Sequence, residues 1–130
     1  YRCGTGHSVS HVGNVHEGPH ALNGRNTTVF KPGMIVTDEP GVYEGGVVGI
    51  RIENELECYH KASNQYGEFL AFRPIMFVPI ATSPIVPGVL SRDELDWLNA
   101  YHREVFEKLA PHLTEDERDW LAKKCAAIGA

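Results

Sequence analysis

Two periodicities divide this chain. Through residues 1–80 the apolar positions fall in short runs and alternations separated by glycine-rich turns, and from Ser91 onward they recur every three or four residues. Met34-Ile35-Val36-Thr37 is a β-prone run behind Lys31-Pro32-Gly33, a turn signal. In Ile50 to Leu56, Ile50, Ile52 and Leu56 alternate with Arg51, Glu53 and Glu55. That predicts a strand with Arg51 and Glu53 on one face, where a guanidinium steadies a neighbouring carboxylate. Gly45-Gly46 marks a hairpin turn, and Glu68 to Ile80 is a further β-leaning segment ending at Pro79-Ile80. Lys61 to Gly67 is polar and reads as an exposed loop.

Residues 81–90 are rich in proline and read as a linker. Ser91 with Glu94 fits a capping box, and Leu95, Leu98, Val105 and Leu109 follow at helical spacing until Pro111. Thr114 with Glu117 fits a second box, with Trp120, Leu121, Cys125 and Ile128 as the apolar side of its helix. Trp97, Trp120 and Tyr101 serve either as buried core, the default for aromatics at helical spacing, or as a dimer contact. The pattern predicts an α+β fold: residues 1–80 a mainly antiparallel β region, 81–90 a linker and 91–130 a helical hairpin.

Composition narrows the function. A chain of 130 residues holds one core and hardly more than one domain. Its net charge of -5, with scattered Lys and Arg, argues against a nucleic-acid surface. Cys3, Cys58 and Cys125 are odd in number and far apart, which predicts reduced thiols in a cytoplasmic protein. No signal peptide follows Tyr1, and the apolar stretch from Ile75 to Leu90 is broken by three prolines and too short to span a bilayer. The start at Tyr1, taken with the incomplete site described next, predicts a C-terminal piece of a longer protein.

The candidate chemistry lies in Gly4-Thr5-Gly6-His7, Asn14-Val15-His16-Glu17-Gly18-Pro19, Asp38-Glu39-Pro40-Gly41-Val42-Tyr43 and Gly49-Ile50-Arg51-Ile52-Glu53-Asn54. Glu39 and Glu53 each sit at or near the end of a β-rich run. Two such carboxylates brought together repel unless they share a proton or a cation. An oxygen-rich site with one imidazole suits manganese, cobalt or zinc. His7 stands between glycines that let backbone approach a bound group. His16 precedes a turn that fixes its ring, where an imidazole donates to a developing oxyanion or relays a proton. His11, His20, His60, His102 and His112 are read as packing or surface residues, although His20 follows the same turn as His16. No Ser-His elbow or phosphate loop is present.

These motifs, in this order and spacing, resemble the C-terminal part of a bacterial Xaa-Pro aminopeptidase, an M24 "pita-bread" metallopeptidase, over essentially the whole chain. The tail Asp96-Trp97-Leu98-Asn99-Ala100-Tyr101-His102 resembles the helical extension of the longer members. The resemblance implies two divalent metal ions, manganese first, with His7, Glu39 and Glu53 as ligands and Glu53 bridging. A metal-bridging hydroxide would attack the bond between an N-terminal residue and the proline after it, with Glu39 helping to move its proton. His16 would stand beside the scissile carbonyl as a catalytic and substrate-binding residue, and Arg51 would orient the ligand carboxylates. The implied partners are a peptide with proline at its second position and a second copy of the chain, with no nucleic acid and no membrane.

Three departures from the family pattern matter. Cys3 occupies a substrate-lining position where many relatives carry histidine, and Ser8 and Ser10 replace glycines. The two aspartate ligands that the family draws from upstream strands do not occur in residues 1–130, so the chain by itself is expected to be inactive. A prolidase-type dipeptidase and a non-catalytic pita-bread binding domain are the alternative readings.

Overall fold

Pro40 decides how the first unit is built. The structure, a computed structural model, describes residues 3–86 and 88–129, so Pro87 of the expected linker lies outside the described residues. Proline has no N–H to give to a ladder. Accordingly β1 (Ile35–Asp38) stops before Glu39, and β2 (Gly41–Glu44) starts after Pro40. β2 turns through Gly46, at φ 72°, into β3 (Val48–Arg51), with the Val47 N–H on the Glu44 carbonyl at 3.0 Å. The chain then enters β4 (Asn54–Asn64) and returns as β5 (Gly67–Pro74).

All pairings are antiparallel. One sheet has the order β1-β4-β5, and the other is the β2-β3 hairpin. Asp38 faces Asn54 in the first ladder and Gly41 faces Arg51 in the second. Both ladders therefore run in one register, broken only where Glu39-Pro40 lies opposite Ile52-Glu53. The Ile52 N–H still reaches the Pro40 carbonyl at 3.4 Å. The single strand expected over Ile50 to Leu56 is thus two strands, interrupted at Ile52 and Glu53. The cause is the partner, which carries an imino acid and a carboxylate opposite another carboxylate, a pairing that costs energy in a closed ladder.

Residues 5–8 extend this sheet past β1. Thr37 N–H donates to the His7 carbonyl at 2.9 Å and Glu39 N–H to the Thr5 carbonyl at 2.6 Å, while Ser8 bridges Val36 and His7 bridges Ala21. Gly6 is required here, because a Cβ would run into the Thr37 carbonyl. By strand alternation Ser8, Val36, Leu56 and Cys58 share one face, and Val36 and Cys58 are fully buried. Thr5, His7, Thr37, Glu39 and Glu53 fall on the other.

The loop expected over Lys61 to Gly67 is mostly strand. Asn64 pairs with Gly67, so the turn itself is Gln65-Tyr66, and β5 supplies the hydrogen-bond partners that let polar residues stay extended. β5 stops at Pro74, short of Ile80.

A second unit begins at Phe77, where the sequence reading divides the chain at residue 80. Helix α1 (Arg92–Leu109) starts on the Ser91–Glu94 box and α2 (Glu115–Lys124) on the Thr114–Glu117 box. The 3-10 turn Ala110–His112, holding Pro111, separates them. Tyr101, Val105 and Leu121 form the core, with Phe77, Ile80 and Phe106 packed against it. Tyr101 OH donates to the Val78 carbonyl at 2.9 Å, and Ile80 N–H donates to His102 Nε2 at 3.1 Å. Within the expected linker, Ile85, Val86, Gly88 and Leu90 line a small recess with Leu95 and Ile128. Of the three aromatics read as core by default only Tyr101 is buried; Trp97 and Trp120 are exposed. Each keeps one shielding partner: Trp97 lies flat on the Tyr101 ring at 5.7 Å, and Lys124 sits over Trp120. Cys125 caps α2, so Ile128 lies beyond the helix.

Candidate metal-binding face

Glu39 is the hub of the first unit's polar face. Its side chain is 12% exposed, and both oxygens are engaged. Oε1 lies 3.0 Å from His7 Nε2 and accepts from Thr37 Oγ1 at 3.1 Å, while Oε2 lies 3.1 Å from Arg51 Nη1. Strand alternation explains the set, since Thr37 stands two residues before Glu39 and Arg51 two before Glu53 in the shared register. Thr37 also takes the His7 N–H on its hydroxyl at 3.0 Å, fixing the histidine's backbone to β1.

The imidazole of His7 is oriented from behind. Nδ1 lies 2.9 Å from the Ser8 carbonyl, which can only accept, so the ring proton belongs on Nδ1. Nε2 then presents its lone pair to a carboxylate oxygen. Two acceptors at 3.0 Å need a proton or a cation between them, and an imidazole held by a backbone carbonyl with its other nitrogen free is the usual form of a metal-ligating histidine. His7 and Glu39 therefore fit a divalent cation. His16, exposed, lies against His7 with ring centroids 4.1 Å apart.

Arg51 is clamped from the opposite side. Nε donates to Tyr43 OH at 2.7 Å, and the guanidinium lies 5.7 Å from the Tyr43 ring centroid. Its pKa is raised, chiefly by the Tyr43 hydrogen bond; desolvation opposes the rise, and the charges of Tyr43, Glu39 and Glu53 add to it. Tyr43 folds over Gly41, where a Cβ would come within 2.5 Å of its hydroxyl. Thr37 and Tyr43 are the polar-face residues that the sequence reading passed over. Their signal was register: Thr37 is two residues from Glu39, and Tyr43 is two from Gly41, the partner of Arg51.

The structure thus joins His7, His16, Glu39 and Arg51. Glu53 is exposed and occupies the register position opposite Glu39. Cys3 is an exposed free thiol. Among the described residues no group of three or more His, Cys, Asp or Glu side chains is gathered closely enough to hold a metal ion. His20, read as packing, is buried, and its Nε2 donates to the Ile35 carbonyl at 2.7 Å.

Carboxylate and imidazole side chains thus share one face of an antiparallel sheet, in a chain that continues into a helical extension. Residues 1–59 match the model of metallopeptidase family M24, and residues 68–128 match the model of the C-terminal region of peptidase M24. The chain belongs to the M24 metallopeptidase family. It is 43% identical over 136 residues to a probable Xaa-Pro aminopeptidase P of Coprinopsis cinerea, an alignment that takes in 98% of this chain and 22% of that protein. It is 45% identical over 127 residues to aminopeptidase P2 of Arabidopsis thaliana, covering 93% and 18%. Its fold superposes on an X-prolyl aminopeptidase from Caenorhabditis elegans with a TM-score of 0.85 at 39% identity, over 96% of this chain and 21% of the other. That neighbour is described as a cytosolic enzyme with a di-nuclear active site. The chain spans about a fifth of the length of these relatives.

Proposed function

We propose that this chain supplies one half of the active site of a dinuclear Xaa-Pro aminopeptidase. Residues 1–80 are the C-terminal half of the catalytic domain, 81–90 a connection and 91–130 a helical extension. The observation that carries the reading is the His7–Glu39 contact, in which a carbonyl-anchored imidazole turns its free nitrogen to a carboxylate at 3.0 Å. His7, Glu39 and Glu53 are the residues that would hold the metal ions. Manganese is the preferred metal, because oxygen donors with one imidazole suit a hard to borderline cation, with zinc and cobalt as alternatives. A metal pair, when bound, supplies Lewis-acid polarisation and a nucleophile drawn from water near neutral pH.

The chain's own residues do the rest. Glu39 takes up and passes on a proton at its carboxylate, held in place by Thr37 and by Arg51. Arg51 also offsets the repulsion between Glu39 and Glu53. His16, lying against His7, donates to the carbonyl oxygen of the bond being cut, and Cys3 lines the substrate channel. The substrate is a peptide with proline second, as the names of the relatives suggest for the activity. A cytoplasmic location follows the cytosolic neighbour, and a homodimer follows the family resemblance. The 130-residue chain alone is inactive and binds metal poorly, since three donors fall short of a dinuclear set.

The test is manganese-dependent release of the N-terminal residue from an Xaa-Pro-Pro peptide by the full-length parent, with Glu39→Gln as control. Release by the parent and its loss in the variant are the expected results. A folded parent that releases nothing with manganese, cobalt or zinc overturns the reading in favour of a non-catalytic binding domain. Cleavage confined to Xaa-Pro dipeptides turns it to a prolidase.

A further inference from the structure

Behind the polar face lies a second pair of polar side chains to which nothing above gives a role. Ser8 is 2% exposed and His20 is 9% exposed. Ser8 N–H donates to the His20 carbonyl at 3.0 Å, and the neighbouring His7–Ala21 bridge sets the register that places Ser8 and His20 directly opposite one another. Opposed residues in such a pair stand about 5.5 Å apart at their Cα atoms with side chains on the same face. His20 Nε2 must carry the ring proton, because its partner at 2.7 Å is the Ile35 carbonyl. Nδ1 is then a lone-pair acceptor. Among the described residues of this unit, Ser8 Oγ and His20 Nδ1 are the buried side-chain polar atoms without a hydrogen-bond partner. One is a hydroxyl, able to donate; the other can only accept.

We propose that Ser8 and His20 form a buried pair joined through one enclosed water, which accepts from Ser8 O–H and donates to His20 Nδ1, and that this pair positions His7. A single water between two complementary orphans on opposed residues satisfies both, whereas either left alone in an apolar setting is expensive. Phe30, edge-on to the His20 ring at 5.4 Å, provides that apolar setting. The pair ties three extended segments through one imidazole: residues 20–22, residues 5–8 and β1. His7 depends on this tie, because the atom that sets its tautomer is the carbonyl of Ser8 itself. If the Ser8 backbone rocks, His7 loses its fixed Nδ1 proton and its aimed Nε2. The pair also accounts for a serine where the family pattern has glycine. The proposal rests on the reading above only in naming His7 as a ligand, and its test does not involve catalysis.

Long-range proton–nitrogen correlation spectra of the chain labelled with nitrogen-15 histidine, recorded above the imidazole titration range, read each tautomer directly. The expected result for the native chain is His20 with its proton on Nε2 and an Nδ1 signal displaced from the free-nitrogen value by hydrogen bonding, with His7 in the single Nδ1–H form. Ser8→Ala moves the His20 Nδ1 signal to the free-nitrogen value and averages the two His7 tautomers, and Ser8→Thr, which restores a hydroxyl, reverses both. An Nδ1 signal at the free value in the native chain overturns the pair without recourse to any variant. A folded Ser8→Ala chain in which His20 is unmoved, or in which His20 moves while His7 keeps its single tautomer, overturns the positioning role.

Discussion

His102 should make the second unit lose stability in mild acid. The side chain is fully buried in α1, and Nε2 accepts the Ile80 N–H at 3.1 Å. Burial pushes its pKa below the usual 6.5. A proton on Nε2 would also set two donors against each other. The unfolded chain therefore binds the proton more readily than the folded one, and stability rises with pH across the window between the folded value and 6.5. It is fully present above 6.5 and falls as the pH drops, levelling off once the folded ring also protonates. While the folded ring stays neutral, the loss between about pH 7.5 and about pH 5.5 reaches at most about 1.4 kcal/mol. Both tryptophans, Trp97 and Trp120, lie in this unit, so denaturant unfolding followed by their fluorescence reads it selectively. His102→Gln cannot titrate, and the six other histidines remain in both proteins. The difference between the two pH slopes isolates His102. Equal slopes across that window would refute the argument.

Two further outcomes follow from the polar face. Tyr43→Phe removes the acceptor of the 2.7 Å bond to Arg51, leaving the guanidinium free to leave Glu39. In the full-length parent, peptide-release kinetics should show activity or metal affinity down by about 10- to 100-fold, typical when an outer partner of a ligand is lost, with the far-UV spectrum unchanged. Gly6→Ala drives a Cβ into the Thr37 carbonyl and should cost roughly 1–3 kcal/mol, as overpacking does. Urea unfolding followed by far-UV circular dichroism is the check, and an unchanged midpoint would mean that residues 5–8 do not lie against β1 as described.

What was legible in the sequence was local. The capping boxes at Ser91 and Thr114 and the turns at Lys31-Pro32-Gly33 and Gly45-Gly46 all act within a few residues of themselves, and both helices begin where their boxes put them. What the sequence hid depends on partners distant along the chain. Lys61 to Asn64 look like a loop until β5 returns to pair with them. Trp97 and Trp120 have core-like spacing, but Tyr101 and Leu121 take the interior positions of their helices. Ile50 to Leu56 alternates like one strand, and only Pro40 on the facing segment reveals why it is two.

That interruption has a consequence for chemistry. Had the ladder continued through Glu39 and Glu53, two carboxylates would have faced each other across a closed pair, with only repulsion between them. Proline at position 40 removes one ladder hydrogen bond without disturbing the register on either side. The two acids thus stay opposite one another on backbone freed from the ladder at that point, with Arg51 and Thr37 still at fixed offsets from them. The same alternation sends Ser8 and Val36 to the core face and His7 and Thr37 to the polar one, so burying the strand and presenting the imidazole are a single geometric act. A site built this way needs its sheet register more than its loops. Changes that slip the register, such as Gly6→Ala, are therefore expected to weaken it before changes in the exposed turns do.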